Sequence, residues 1–305
     1  MELEATRMDA TSTFILKVYC MSMITLTQHT TTLVLLVMAC MLVVLVRQRE
    51  QFIAPRVVGG IGVDKVPSWF VITSDGGCGA CLISPDVVLT AGHCVRGRVT
   101  MEVRVGYSHP SSREVIKVRR IVIHPQYKEF GSGADGTAIY DVALLFLEKP
   151  VRNLAPIKRA SKNPAPGEKV TIIGLGLVKA WDTEASNPEI SGATKLQKAS
   201  LTVVSNSDCK KAHDKVASTE TVARYISQAV TSPSVLCTVS KKGISGCHGD
   251  SGGPVINGRG ELVGAVSFGS KGCGYQAKGA VYTMAASIPY TNKWIDAEIA
   301  KVRYV

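Results

Sequence analysis

Residues 246–254 read Gly246-Cys247-His248-Gly249-Asp250-Ser251-Gly252-Gly253-Pro254, a serine set in a glycine-rich turn. Two more short runs lie upstream of it, Leu89-Thr90-Ala91-Gly92-His93-Cys94 and Asp141-Val142-Ala143-Leu144-Leu145. Each has an ordinary reading when it stands alone: a flexible turn, a packed histidine, an aspartate at the start of a strand. Together they place a histidine, a carboxylate and a serine in one chain, each inside a distinctive neighbourhood, and coincidence becomes a poor explanation.

The surrounding pattern is that of an all-β chain. MEVRV at 101–105, VIKVRRIVI at 115–123, VTIIG at 170–174 and LTVVS at 201–205 alternate apolar and polar residues with strand periodicity. Shorter apolar runs at 87–89, 142–147, 254–256, 262–267 and 280–284 are separated by Gly, Pro, Ser and Asn clusters. Many short strands without intervening helices predict barrels or sandwiches. Glu148 to Glu168, rich in Pro, Lys and Asn, reads as a link between two halves. Ser287 to Val302 spaces Ile288, Trp294, Ile295 and Ile299 as a terminal helix packing on the second half.

The order His, Asp, Ser, the spacing and the residues flanking each motif resemble the trypsin and chymotrypsin family of serine proteases from Arg56 to about Val302. The resemblance implies two packed six-stranded antiparallel β-barrels with a C-terminal α-helix. It implies a cleft between the barrels holding the triad His93, Asp141 and Ser251. The chemistry accounts for the residue types. A serine hydroxyl is a weak nucleophile at neutral pH, and imidazole is the side chain poised to take its proton. The resulting imidazolium needs a fixed tautomer and a counter-charge, which a buried carboxylate supplies. The oxyanion formed on attack needs preorganised donors, expected from the backbone N–H groups of Gly249 and Ser251. No cofactor and no metal enter this scheme. The expected partners are protein or peptide substrates, an activating protease with Arg specificity and protein inhibitors. A binding protein that keeps the barrels without catalysis is the competing class.

The same resemblance pairs Cys78 with Cys94, Cys209 with Cys237 and Cys247 with Cys273, leaving Cys81 as a buried free thiol. Arg56-Val57-Val58-Gly59-Gly60 resembles the family's activation site. Cutting after Arg56 would free an ammonium on Val57 to pair with Asp250 and order the oxyanion turn. The primary substrate pocket is expected at Ser245, Gly246, Ser267, Phe268, Gly269, Gly279 and Ala280. Ser245 stands at its floor, where enzymes that cut after Lys or Arg carry an aspartate. Cleavage after Leu, Met, Phe or Tyr is therefore expected, with smaller residues as the alternative. Several positions depart from the family pattern: Gly92 for alanine, Leu175 and Phe268 for tryptophans, and Tyr107 after Gly106 where a calcium loop would begin with glutamate.

Composition bounds the remaining possibilities. The 305 residues carry nine cysteines, most of which could pair only in an oxidising compartment. Leu33 to Val46, LVLLVMACMLVVLV, is apolar throughout and followed by Arg47 and Arg49, and it suits a signal sequence better than a full span. Residues 1–46 therefore read as a leader, 47–56 as a short propeptide and 57–305 as the peptidase domain, divided at 155/156. A secreted protein is expected, and membrane association only if the leader is retained as an anchor. The formal net charge of +11 is dispersed in short groups such as Lys117, Arg119 and Arg120. That distribution reads as a solvated face and not as a nucleic-acid site.

Overall fold

A computed structural model of the chain describes residues 57, 59–74, 77–106, 114–131, 136–175, 196–218, 221–240, 244–270, 273 and 280–303. The leader, Arg56 and Gly279 lie outside the described residues.

The first half contributes β1 (Ile61–Gly62), β2 (Phe70–Thr73), β3 (Gly79–Ser84), β4 (Val87–Thr90), β5 (Glu102–Val105), β6 (Glu114–Ile123), β7 (Lys128–Phe130), β8 (Thr137–Ile139) and β9 (Ala143–Leu147). Six of these close into a barrel in the order β2-β3-β4-β9-β6-β5, while β7 and β8 form a separate hairpin. β9, ALLFL, is buried at every position. Its alternate side chains enter different cores: Ala143, Leu145 and Leu147 fill the barrel, whereas Leu144 and Phe146 face the other way, into a second cluster. An unbroken apolar run is what a strand covered on both faces requires.

The second half contributes β10 (Lys169–Gly174), β11 (Gln197–Val203), β12 (Val235–Ser240), β13 (Pro254–Asn257), β14 (Leu262–Gly269) and β15 (Val281–Ser287). These run β11-β10-β13-β14-β15-β12, and a β11–β12 pairing closes the ring into the second barrel. β11 shows the alternation of a strand with one wet face: Ala199, Leu201 and Val203 are buried, while Lys198 and Ser200 are exposed. Between the barrels, residues 148–168 form no strand and meet the second barrel through an isolated bridge from Arg159 to Leu262.

Three features differ from the sequence reading. β1 pairs with β11 through Ile61–Lys198 and Gly62–Gln197, and Val57 is buried in the second barrel's core, so the start of the domain belongs to the second barrel and not the first. The terminal helix, α3 (Ile288–Arg303), packs on both halves and not on the second alone. Its Ile288 and Ile295 share a cluster with Leu89, Leu144 and Phe146 of the first barrel and Leu262 and Ala265 of the second. Burying a side chain of this size contributes about 1.5–3 kcal/mol. The helices α1 (Asn206–Asp214) and α2 (Thr221–Ala229) interrupt the strands. α1 starts at Ser205, whose hydroxyl accepts from the Asp208 backbone N–H, a capping pattern legible three residues apart in the sequence. α2 buries Val222, Ala223, Ile226 and Ala229 at helical spacing.

Candidate active site

His93 lies in a tight turn just after β4, held by bonds from Cys94 N to Ala91 O (3.3 Å) and Val95 N to Gly92 O (3.1 Å). Asp141 lies between β8 and β9, after Tyr140, whose backbone is left-handed (φ 50) and whose N–H donates to Ser234 Oγ of the second half at 2.9 Å. Ser251 lies in the turn before β13.

A closed circuit of contacts brings the three together. The Ser251 carbonyl accepts from Gly79 N at 2.8 Å. Cys78, next in the chain, is disulfide-bonded to Cys94, the neighbour of His93. His93 Nδ1 bonds Asp141 Oδ2 at 2.7 Å, and its backbone N–H donates to Oδ1 at 2.8 Å. Ser267 Oγ donates to Asp141 Oδ2. The adjacent Val266 carbonyl accepts from Gly252 N at 2.7 Å, which returns the path to Ser251. Ser267 is expected from the sequence as a pocket wall; its hydrogen bond to the carboxylate joins β14 to a loop of the other barrel, a relation that no sequence spacing encodes.

The tight approach of the two barrels explains the glycine after the serine. Gly252 has φ 72, and a Cβ there would stand 2.2 Å from Thr90 Oγ1 and 2.4 Å from Gly79 O. Any side chain would push the serine turn off the first barrel.

Burial and charge set the electrostatics. Asp141 is fully buried, and burial pushes its carboxyl up. The charge and hydrogen bond of His93, the Ser267 hydroxyl and the His93 N–H outweigh that and hold it below the usual carboxylate range. Burial pulls His93 down, but the Asp141 charge and hydrogen bond dominate and hold the imidazole above its ordinary value. His93 Nε2 lies 3.8 Å from Cys94 Sγ. Among the described residues it makes no hydrogen bond to Ser251 Oγ, a contact that is often loose before substrate arrives.

In the serine turn the backbone N–H groups of Asp250, Gly252 and Gly253 are engaged, bonding Cys247 O, Val266 O and Asp250 O. Those of Gly249 and Ser251 have no acceptor among the described residues. Asp250 is buried, and its Oδ2 accepts from Cys247 N at 2.9 Å. Its other oxygen lies against Gly174, where a Cβ would stand 2.0 Å away. Gly174→Ala is therefore expected to displace the Asp250 carboxylate and with it the turn. Peptidase kcat/KM should fall about 10²-fold or more, with little change in far-ultraviolet circular dichroism. Kinetics at parental level in the alanine variant would show that the contact is dispensable.

At the expected pocket floor, Ser245 is buried and its hydroxyl donates to Cys273 O at 2.5 Å. The Cys247–Cys273 disulfide closes this corner, and Gly246 N donates to Thr283 Oγ1 at 3.2 Å. Phe268 packs against the buried cluster of Cys237 and Met284, Gly269 ends β14, and Ala280 is exposed. The third disulfide joins Cys209 to Cys237, and Cys81 is a buried free thiol whose ionisation burial suppresses strongly. The sulfurs of Cys78 and Cys94 and the imidazole of His93 lie within 4.8 Å of one another. The two sulfurs are bonded to each other, so they offer no thiolate to a metal.

Residues 60–295 match the family model for trypsin. Trypsin 5G1 of Aedes aegypti is 34% identical over 244 residues, covering 76% of this chain and 82% of that protein. A trypsin of Saccharopolyspora erythraea is 33% identical over 222 residues (70% and 84%), and kallikrein-15 of Saguinus oedipus 30% over 228 residues (72% and 80%). Among solved structures, neuropsin, a serine protease expressed in mouse brain, shares the fold with a TM-score of 0.62 at 24% identity, over 78% of this chain and 98% of its own. The chain belongs to the trypsin family. It is a serine endopeptidase, whose substrates are proteins.

Proposed function

We propose that this endopeptidase works through an acyl-enzyme on Ser251, with His93 as general base and Asp141 as the carboxylate that orients and balances it. The observation that carries this reading is the closed circuit of contacts linking the three residues across both barrels. In the proposed cycle His93 Nε2 takes the proton as Ser251 Oγ attacks the peptide carbonyl. The unengaged N–H groups of Gly249 and Ser251 receive the oxyanion, a contribution of about 2.7–4 kcal/mol per donor. His93 then gives the proton to the leaving amine, and water repeats the sequence to release the acid.

The protein is made, on this reading, as a secreted zymogen and switched on by cleavage after Arg56. The state of Val57 supports it. The side chain is fully buried, yet the backbone has φ 58, a conformation that strains a β-branched residue by roughly 1–3 kcal/mol. Cutting the Arg56–Val57 bond lets that backbone relax and supplies an ammonium for buried Asp250.

The primary specificity proposed is for medium to large apolar residues. Ser245 carries no charge, and its hydroxyl is already satisfied by Cys273 O. A buried lysine or arginine side chain of the substrate would have no counter-ion there, which is costly. Hydrolysis of matched peptides ending in Phe, Leu, Ala and Arg tests this. Phe and Leu should exceed Arg by about 10²-fold or more in kcat/KM. A preference for Arg would overturn the apolar reading, and a preference for Ala would shift it to small residues. Because the activation site ends in Arg56, an enzyme of this specificity would depend on another protease for its own activation.

A further inference from the structure

Beside the triad lies a second network that the mechanism above does not use. Tyr127, just before β7, presses its ring against the residue preceding His93: a Cβ on Gly92 would stand 3.0 Å from Tyr127 Cδ2 and 3.2 Å from Asp141 Oδ1. The Tyr127 hydroxyl donates to Glu129 Oε1. Glu129 Oε2 in turn pairs with Arg96 Nη1, three residues beyond His93. The segment from Gly92 to Arg96, which carries the imidazole, is thus gripped at both ends. The grip is anchored to the other triad member of this barrel, because Glu129 pairs in register with Ala138, shortly before Asp141. Glu129 keeps only 24% of its side-chain surface, so its charge is screened less than that of a surface group.

We propose that Tyr127, Glu129 and Arg96 form a strap that positions His93 for the peptidase reaction, with Glu129 as its central anchor. This rests on the reading of His93 as the base. None of the three touches the reacting atoms, so they are positioning residues. The charged groups acting on His93 are Asp141 from the β8–β9 loop, Glu129 from β7 and Arg96 from its own turn. Tyr127 stays neutral, because burial and the Glu129 bond push its phenol far up. Glu129 and Arg96 therefore act on the imidazole with opposite signs, the carboxylate favouring the charged form and the guanidinium opposing it.

That opposition gives the test. The enzyme cut after Arg56 is assayed for kcat/KM against pH at low ionic strength, with active sites counted by a fluorophosphonate. Glu129→Gln leaves Arg96 uncompensated, so the acid limb should move down by about 0.3–0.5 pH unit. Arg96→Gln leaves Glu129 uncompensated, so the limb should move up by a similar amount, and Arg96→Lys should restore the parental limb. A merely structural role would lower the rate or the unfolding temperature without displacing the limb in opposite directions. If the parent shows an acid limb and both glutamine variants superpose on it, or move the same way, the strap is wrong. If the parent shows no acid limb, or His93→Ala retains activity, the assignment of the base fails and the strap fails with it. Should Glu129→Gln not fold, the upward shift in Arg96→Gln and its reversal by lysine decide the matter.

Discussion

Ser251→Ala should lower peptide hydrolysis on the order of a millionfold, since removing the nucleophile of such a unit costs about as much as removing the whole unit. The fold should persist. Ser251 Oγ makes no hydrogen bond among the described residues, while the backbone bonds from Gly79 N to Ser251 O and from Gly252 N to Val266 O do not involve it. The measurement is single-turnover hydrolysis of a chromogenic peptide by cut protein, alongside a thermal melt. Unchanged turnover in protein free of contaminating protease would place the nucleophile elsewhere. Covalent labelling by a fluorophosphonate should disappear in the same variant.

Arg56→Gln should produce a precursor that trypsin cannot switch on, with activity about 10²–10³-fold below that of the cut parent, the loss expected when oxyanion donors are not held in place. In the uncut chain Val57 sits in the second-barrel core with a left-handed backbone, and no ammonium exists to pair with Asp250. The assembled turn is disfavoured by both terms. Treating parent and variant with trypsin, assaying both and reading the new N-terminus by mass would settle it. Uncut protein as active as cut protein would remove the switch from this reading. The mass of the N-terminus of the exported precursor separates a cleaved leader from a retained anchor.

The strand pattern, the class of fold and the residues at which to look for chemistry are legible in the amino-acid sequence alone. Alternation at 115–123 and 201–205 follows from the two-residue period of a strand, which is local and so legible. The motifs around His93, Asp141 and Ser251 are likewise short and self-contained. The capping serine of α1 and the helical spacing in α2 are equally local, but each helix is only nine residues long and set among short strands.

Other features depended on which distant segments meet. β1 joins the second barrel because its partner, β11, lies far along the chain, and α3 seals both barrels because Leu144 and Phe146 project outward from the first. Ser267 reaches Asp141, and Glu129 reaches Arg96, across gaps that no periodicity measures. Local chemistry fixes what a segment can become, and a strand signals its own period. The partner it buries against is chosen by the packing of the whole domain. That Ser267 of the second barrel meets Asp141 beside the imidazole is settled by how two separately closed barrels come into contact.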